Sequence, residues 1–145
     1  MNQTADTLEH ELTFTRFDRM CERYPDKTAV LYLGERFSFA QLQNFSERFA
    51  GALAELGIQK GDKVMIYISN CMQWIVTFLG VQKIGAVIVP VSPIYTSHEL
   101  DYMIKDSGAE TIVCLDTNYC YASEVFSSTG LKRIIVTNLA DMLPP

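Results

Sequence analysis

The chain has 145 residues, 17 acidic against 12 basic side chains and a formal net charge of −5. That length suits one domain with a buried core. The acidic balance and the lack of any Lys/Arg cluster argue against a nucleic-acid partner, whose binding face is a basic stripe.

Residues 1–13 show no apolar period and read as a flexible lead-in. They lack the basic start and apolar centre of a secretory signal, which points to a cytoplasmic protein. Phe14, Phe17, Met20, Cys21 and Tyr24 then recur at helical spacing, and Pro25 closes that helix. Thr28–Leu33 reads as a strand, Gly34–Glu35 as a tight turn and Arg36–Phe39 as the return, giving a β-hairpin. Ser38 followed by Gln41 forms a capping box, in which hydroxyl and amide each satisfy an orphaned backbone N–H. The long helix it opens has Phe39, Leu42, Phe45, Phe49, Leu53 and Leu56 as its buried stripe, with Glu47, Arg48 and Glu55 facing water. Gly57 supplies its left-handed terminus.

From residue 61 the pattern changes to alternating strands and helices. Apolar runs at Val64–Ile68, Ala86–Val91, Thr111–Leu115 and Ile134–Thr137 are separated by helix-length segments, with Gly85, Gly108 and Gly130 at the helix ends. This order indicates βαβ units and a parallel sheet. Runs that are apolar throughout are what strands covered by helices on both faces require. Ser69–Asn70 is the expected cap of the helix carrying Trp74, Ile75, Phe78 and Leu79, with Trp74 a packing residue. Thr96 with Glu99 is a second capping box, and Asp116 is the expected cap of the next helix. Leu139–Pro145 begins a further segment. The region Val64–Val91 is the most hydrophobic, but Asn70, Gln73, Gln82 and Lys83 interrupt it, whereas a spanning helix needs roughly 20 apolar residues in a row.

In an open parallel sheet, ligands sit beyond the carboxyl ends of the strands, where free helix N–H groups converge. Those ends carry Ser69–Asn70, Ser92–Thr96, Asp116–Asn118 and Asn138. The Ser92–Thr96 loop is read as following a central strand. No strand end carries the glycine-rich loop that lets backbone approach a phosphate. The segment Ser127–Lys132, SSTGLK, has a single glycine and lies at the amino end of a strand, so it reads as a helix terminus. His10 and His98 have no paired nucleophile. Glu99 is explained by capping and Asp101 by an i,i+4 pair with Lys105, so Glu99, Asp101 and Asp106 make no metal box. Cys21, Cys71, Cys114 and Cys120 show no C-x-x-C spacing and read as small core residues.

Several segments taken together resemble the acyl-CoA synthetases of the adenylate-forming, AMP-binding superfamily. They are RFSFAQL (Arg36–Leu42), GIQKGDKVMI (Gly57–Ile66) and SNCMQWIVTFLGVQKIGAVIVPVSPIYTSHELDYMIKDSGA (Ser69–Ala109). The P-x-Y-T form is most similar to the fatty acyl-CoA ligases. The resemblance implies an α/β fold in which residues 14–145 are the amino-terminal portion of the AMP-binding domain, incomplete at the C-terminus. Residues 14–60 would supply helix, hairpin and long helix, and residues 61–145 the parallel βα units.

It further implies a ligase that uses ATP, Mg²⁺ and coenzyme A to convert a medium- or long-chain fatty acid first to an acyl-adenylate and then to a thioester. An aryl or short-chain acid is the alternative substrate, and a freestanding nucleotide-binding or regulatory module is the alternative class. The family's phosphate loop, adenine and Mg²⁺ motifs and catalytic lysine have no counterpart in these residues. No catalytic, cofactor or metal residue is therefore assigned, and the 145-residue chain alone is expected to be inactive with no cofactor bound. Pro93 and Tyr95 are the candidate substrate-binding residues, because the similar loop of the family lies near coenzyme A. The hairpin would join a sheet completed by later residues, so self-association through its free edge is expected. A peripheral association with membranes is a further expectation for the complete enzyme.

Overall fold

The computed structural model describes residues 12–142. Residues 1–11 of the 1–13 lead-in, including His10, and the last three residues lie outside them, and Thr13 already opens the first helix. The chain divides into two units, residues 1–45 and 46–145.

In the first unit, helix α1 (Thr13–Arg23) buries Cys21, whose thiol donates to the carbonyl of Phe39 at 3.5 Å. Strands β1 (Thr28–Tyr32) and β2 (Glu35–Ser38) form a two-stranded antiparallel sheet. The turn residues are Leu33 and Gly34, not Gly34 and Glu35: their φ angles are 49° and 86°, and Tyr32 pairs directly with Glu35. A two-residue turn with both φ positive matches the right-handed twist of the strands. The capping box at the start of helix α2 (Phe39–Glu55) is present. Ser38 N–H donates to Gln41 Oε1 at 2.9 Å, and Gln41 N–H donates to Ser38 Oγ at 3.2 Å.

The second unit holds a four-stranded parallel sheet. Its strands are β3 (Lys63–Tyr67), β4 (Val87–Pro90), β5 (Thr111–Leu115) and β6 (Arg133–Thr137), in the order β4-β3-β5-β6. Helix α3 (Met72–Lys83) joins β3 to β4, α4 (Ser97–Ser107) joins β4 to β5, and the short α5 (Tyr119–Glu124) precedes β6. The inner strands β3 and β5 are buried on both faces, whereas β4 and β6 are half-exposed. Strand β4 is therefore an edge of this sheet and not central. Pro90, which cannot donate to a ladder, stands opposite Ile66 at that edge. Alternate residues of the inner strands build the core: Met65, Tyr67, Ile112 and Cys114 pack with Leu100 and Ile104 of α4 and with Ala122 and Val125.

Several helix details differ from the sequence reading. The residue capping α3 is Cys71, which makes no side-chain cap bond, rather than Ser69 or Asn70. The helix buries Gln73, Val76, Thr77 and Leu79 and leaves Trp74, Ile75 and Phe78 half-exposed, with Trp74 stacked on Phe78 at 5.2 Å. Of the expected stripe of α2, Leu42 and Leu53 are buried, Phe39, Phe45 and Phe49 are half-buried and Leu56 is exposed, while Ser46 is buried. A Cβ on Gly80 would stand 3.2 Å from the carbonyl oxygen of Ser46, so small residues set the approach of α3 to the second half of α2. Asp116 does not cap α5: it opens a 3₁₀ turn over Asp116–Asn118, and α5 begins at Tyr119. That helix ends at Glu124, so Gly130 terminates no helix. Gly57, Gly85 and Gly108 do have positive φ, as helix ends require.

Candidate functional site

The site is built at the carboxyl ends of the parallel strands. After β3 the chain turns to β4 on one side, and then crosses to β5 on the other side of β3. The boundary between β3 and β5 is thus a switch in strand order, the place where open α/β sheets form a crevice. Tyr67 ends β3 there, and Asn118 follows β5.

A single hydrogen-bonded cluster occupies this position. Asn118 Nδ2 donates to Tyr67 Oη and to the carbonyl of Pro93, each at 2.9 Å. Tyr67 Oη in turn donates to the carbonyl of Tyr95. The tyrosine is fully buried, and burial, the largest influence, raises its pKa although the bond from Asn118 works in the opposite direction. The phenol therefore stays protonated and remains a donor through the neutral range.

The cluster brings both sequence-predicted site residues, Pro93 and Tyr95, against residues 67 and 118 through their backbone carbonyls. Tyr95 is half-buried, and its ring packs on the core under the loop. The side chain turned outward is Ile94, which is 81% exposed. A second cluster lies at the end of β6. Asn138 Nδ2 donates to Asp116 Oδ2 at 2.6 Å, Asn138 N–H donates to Asp141 Oδ2 at 2.7 Å, and Gln73 Nε2 donates to the Asn138 carbonyl at 2.7 Å.

Residues without a site role in the sequence reading are placed by other contacts. Thr96 and Glu99 form the second capping box at the start of α4. Asp101 pairs with Lys105 at 2.7 Å and accepts from Ser128 Oγ at 3.0 Å. In SSTGLK, Thr129 Oγ1 donates to Val125 O at 2.7 Å and Ser128 Oγ donates to Asp101 and, at 3.3 Å, to Val125 O. His98 lies in a surface groove of about 780 Å³ lined, among the described residues, by α4.

The pattern of the AMP-binding enzyme family matches residues 17–144. The chain belongs to the AMP-binding enzymes. It is 33% identical over 122 residues to the long-chain-fatty-acid–CoA ligase of Bacillus subtilis, a match covering 84% of this chain and 22% of that protein. Among solved structures, a long-chain-fatty-acid–CoA ligase from Archaeoglobus fulgidus superposes with a TM-score of 0.79 at 26% identity, over 86% of this chain and 27% of that one. The coronafacic acid ligase of Pectobacterium brasiliense superposes with a TM-score of 0.82 at 29% identity, over 91% of this chain and 27% of that one. This AMP-binding chain thus spans about a quarter of the length of the proteins it matches.

Fit to the family's ATP and Mg²⁺ can be judged from the donors present. Among the described residues no three His, Cys, Asp or Glu side chains gather to hold a metal ion, and the strand ends of this AMP-binding chain carry no glycine-rich cradle. These residues do not fit a triphosphate with its metal, and no chemical step is assigned to them. No described helix is long and apolar enough to cross a membrane.

Proposed function

We propose that residues 14–145 are the amino-terminal portion of the AMP-binding domain of an ATP-dependent acyl-CoA ligase acting on medium- or long-chain fatty acids. The family match over residues 17–144 carries this reading, and the likeness to fatty-acid ligases supports the substrate class. A carboxylate is a poor electrophile until one oxygen becomes a good leaving group. Adenylation by ATP with Mg²⁺ supplies that group and releases pyrophosphate, after which the thiol of coenzyme A displaces AMP. The portion described here contributes scaffold and a substrate-facing loop. Pro93 and Tyr95, in the loop beyond β4, are its coenzyme A-adjacent residues.

The 145-residue chain by itself is inactive and binds neither ATP nor coenzyme A tightly, since no phosphate cradle is present. The complete enzyme is cytoplasmic, with a peripheral association at membranes where its fatty substrates partition. A second reading is an aryl- or short-chain acyl-CoA ligase of the same family, and the likeness to coronafacic acid ligase supports a substrate other than a fatty acid. Thioester formation by the complete enzyme, measured across fatty, short-chain and aromatic carboxylates, tests the substrate class. Medium- and long-chain fatty acids should give the highest kcat/KM. Higher values for aromatic or short-chain acids would favour the second reading, and no thioester from any of them would remove the ligase assignment.

A further inference from the structure

The loop Ser92–Thr96 has little structure of its own. Within it the backbone makes one bond, from Tyr95 N–H to the Ser92 carbonyl at 3.2 Å, and its edge strand β4 ends before it begins. Glu99 holds the loop's last residue, Thr96, in the capping box, and the stretch around Ile94 is fixed from outside by two further side chains. Asn118 directs both amide hydrogens into the cluster, one to Tyr67 Oη and one to the Pro93 carbonyl, each at 2.9 Å. The Tyr67 hydroxyl in turn donates to the Tyr95 carbonyl. The two carbonyls that flank Ile94 are thereby turned inward, and the Ile94 side chain is turned out. Both anchors come from distant sequence, at the ends of the two inner strands. A loop held this way loses little conformational freedom when a ligand docks on it.

We propose that Tyr67 and Asn118 are positioning residues for the coenzyme A step, holding the Ser92–Thr96 loop in its binding conformation. The proposal rests on the reading of that loop as coenzyme A-adjacent. Neither side chain touches the ligand; each acts through the backbone of Pro93 and Tyr95. Tyr67→Phe keeps the buried ring and removes only the hydroxyl, releasing the Tyr95 carbonyl. Asn118→Ala releases Pro93 and leaves the Tyr67 hydroxyl without its donor.

The test uses the complete enzyme. Steady-state KM for coenzyme A and for ATP is measured with amide exchange across the loop, in Tyr67→Phe, Asn118→Ala and the double variant. Ile94→Asp is an independent arm, since a carboxylate at the exposed tip repels an anionic ligand whether or not the cluster matters. Each single variant removes two of the three bonds of the cluster and should raise the KM for coenzyme A by at least about fivefold relative to that for ATP, the net worth of a single hydrogen bond. The amides of Tyr95 and Thr96 should exchange faster, and the double variant should fall short of the product of the singles, because the two residues act as one network. A rise confined to Ile94→Asp would keep the loop reading and overturn the positioning role. No change in Ile94→Asp or in either cluster variant would overturn both. Equal rises in both KM values with a lowered melting point would show a merely structural role and also overturn the proposal.

Discussion

The side-chain amide of Gln73 donates to the backbone carbonyl of Asn138 across 2.7 Å, joining the first turn of α3 to the end of β6. Gln73 is only 6% exposed, and its Oε1 has no hydrogen-bond partner among the described residues. One end of this amide is therefore stabilising and the other is buried at a cost. Gln73→Ala loses the bond and leaves a cavity, and should destabilise the chain by about 1–3 kcal/mol. Gln73→Met retains the volume and removes the unpaired oxygen, so it should be the milder change. Urea unfolding of the three chains checks the ranking; a Met variant as unstable as the Ala variant would contradict it.

At the start of α4 the Glu99 carboxyl lies below its ordinary pKa of 4.5, first because the Thr96 hydroxyl donates to it and then because the Thr96 N–H does. A depressed folded-state pKa means that this cap stabilises fully above the unfolded value and is lost as pH falls through the folded one. A carboxyl titration followed by NMR should place the Glu99 midpoint below 4.5, with the Thr96 amide shifting in step. A midpoint at or above that value would remove the box as an acid-sensitive element of the helix.

The four thiols should differ sharply in reactivity. Cys21, Cys71 and Cys114 are buried and Cys120 is exposed. Burial foremost, and then the neighbouring Asp116 and Cys120, push the Cys114 thiol up to about 11 from 9.0. Brief iodoacetamide treatment of the native chain at pH 8 should modify Cys120 alone, since the thiolate is the reactive form. Mass spectrometry showing Cys114 labelled as fast as Cys120 would mean that β5 opens readily. Because the folded state holds the Cys114 proton more tightly, its contribution to stability is complete below pH 9.0 and is lost as pH rises toward 11.

The hairpin should be the less stable of the two sheets. Among the described residues it has two strands, and Leu31 and Leu33 are 66% and 67% exposed. A lone two-stranded hairpin is marginal in water, and an apolar edge invites pairing with another copy. Hydrogen exchange should show the ladder amides of β1 exchanging well before those of Ile112–Cys114 in β5, with protection of β1 rising with chain concentration. Equal protection in a dilute, monomeric sample would contradict both the local instability and the proposed self-association.

Features carried by short spacings were legible in the sequence. Ser38 with Gln41 and Thr96 with Glu99 are three residues apart, and both boxes formed as the hydroxyl and amide or carboxyl chemistry requires. The inner strands β3 and β5 were legible because burial on two faces leaves an unbroken apolar run, whereas β4 and β6 carry similar runs although they are half-exposed. Strand order was not, since it depends on contacts between distant residues. Pro90 was the available sign that β4 is an edge, because proline cannot serve an interior ladder.

Leu33 at positive φ was missed because glycine and asparagine, not leucine, signal that conformation. The Tyr67–Asn118 pair is separated by 51 residues, beyond any local pattern. Its one sign was a tyrosine at the end of a buried strand, whose hydroxyl needs a partner. The buried role of Gln73 had no such sign, as a glutamine on an amphipathic helix ordinarily faces water.

Carboxylate-dependent exchange of labelled pyrophosphate into ATP tests the central claim most directly, because it isolates formation of the acyl-adenylate from the coenzyme A step. The complete enzyme should catalyse exchange that depends on a medium- or long-chain fatty acid, and the 145-residue chain should catalyse none under the same conditions. Exchange by the isolated chain, or a complete protein that shows none with any carboxylate, would contradict the reading of this chain as the scaffold portion of an acyl-CoA ligase.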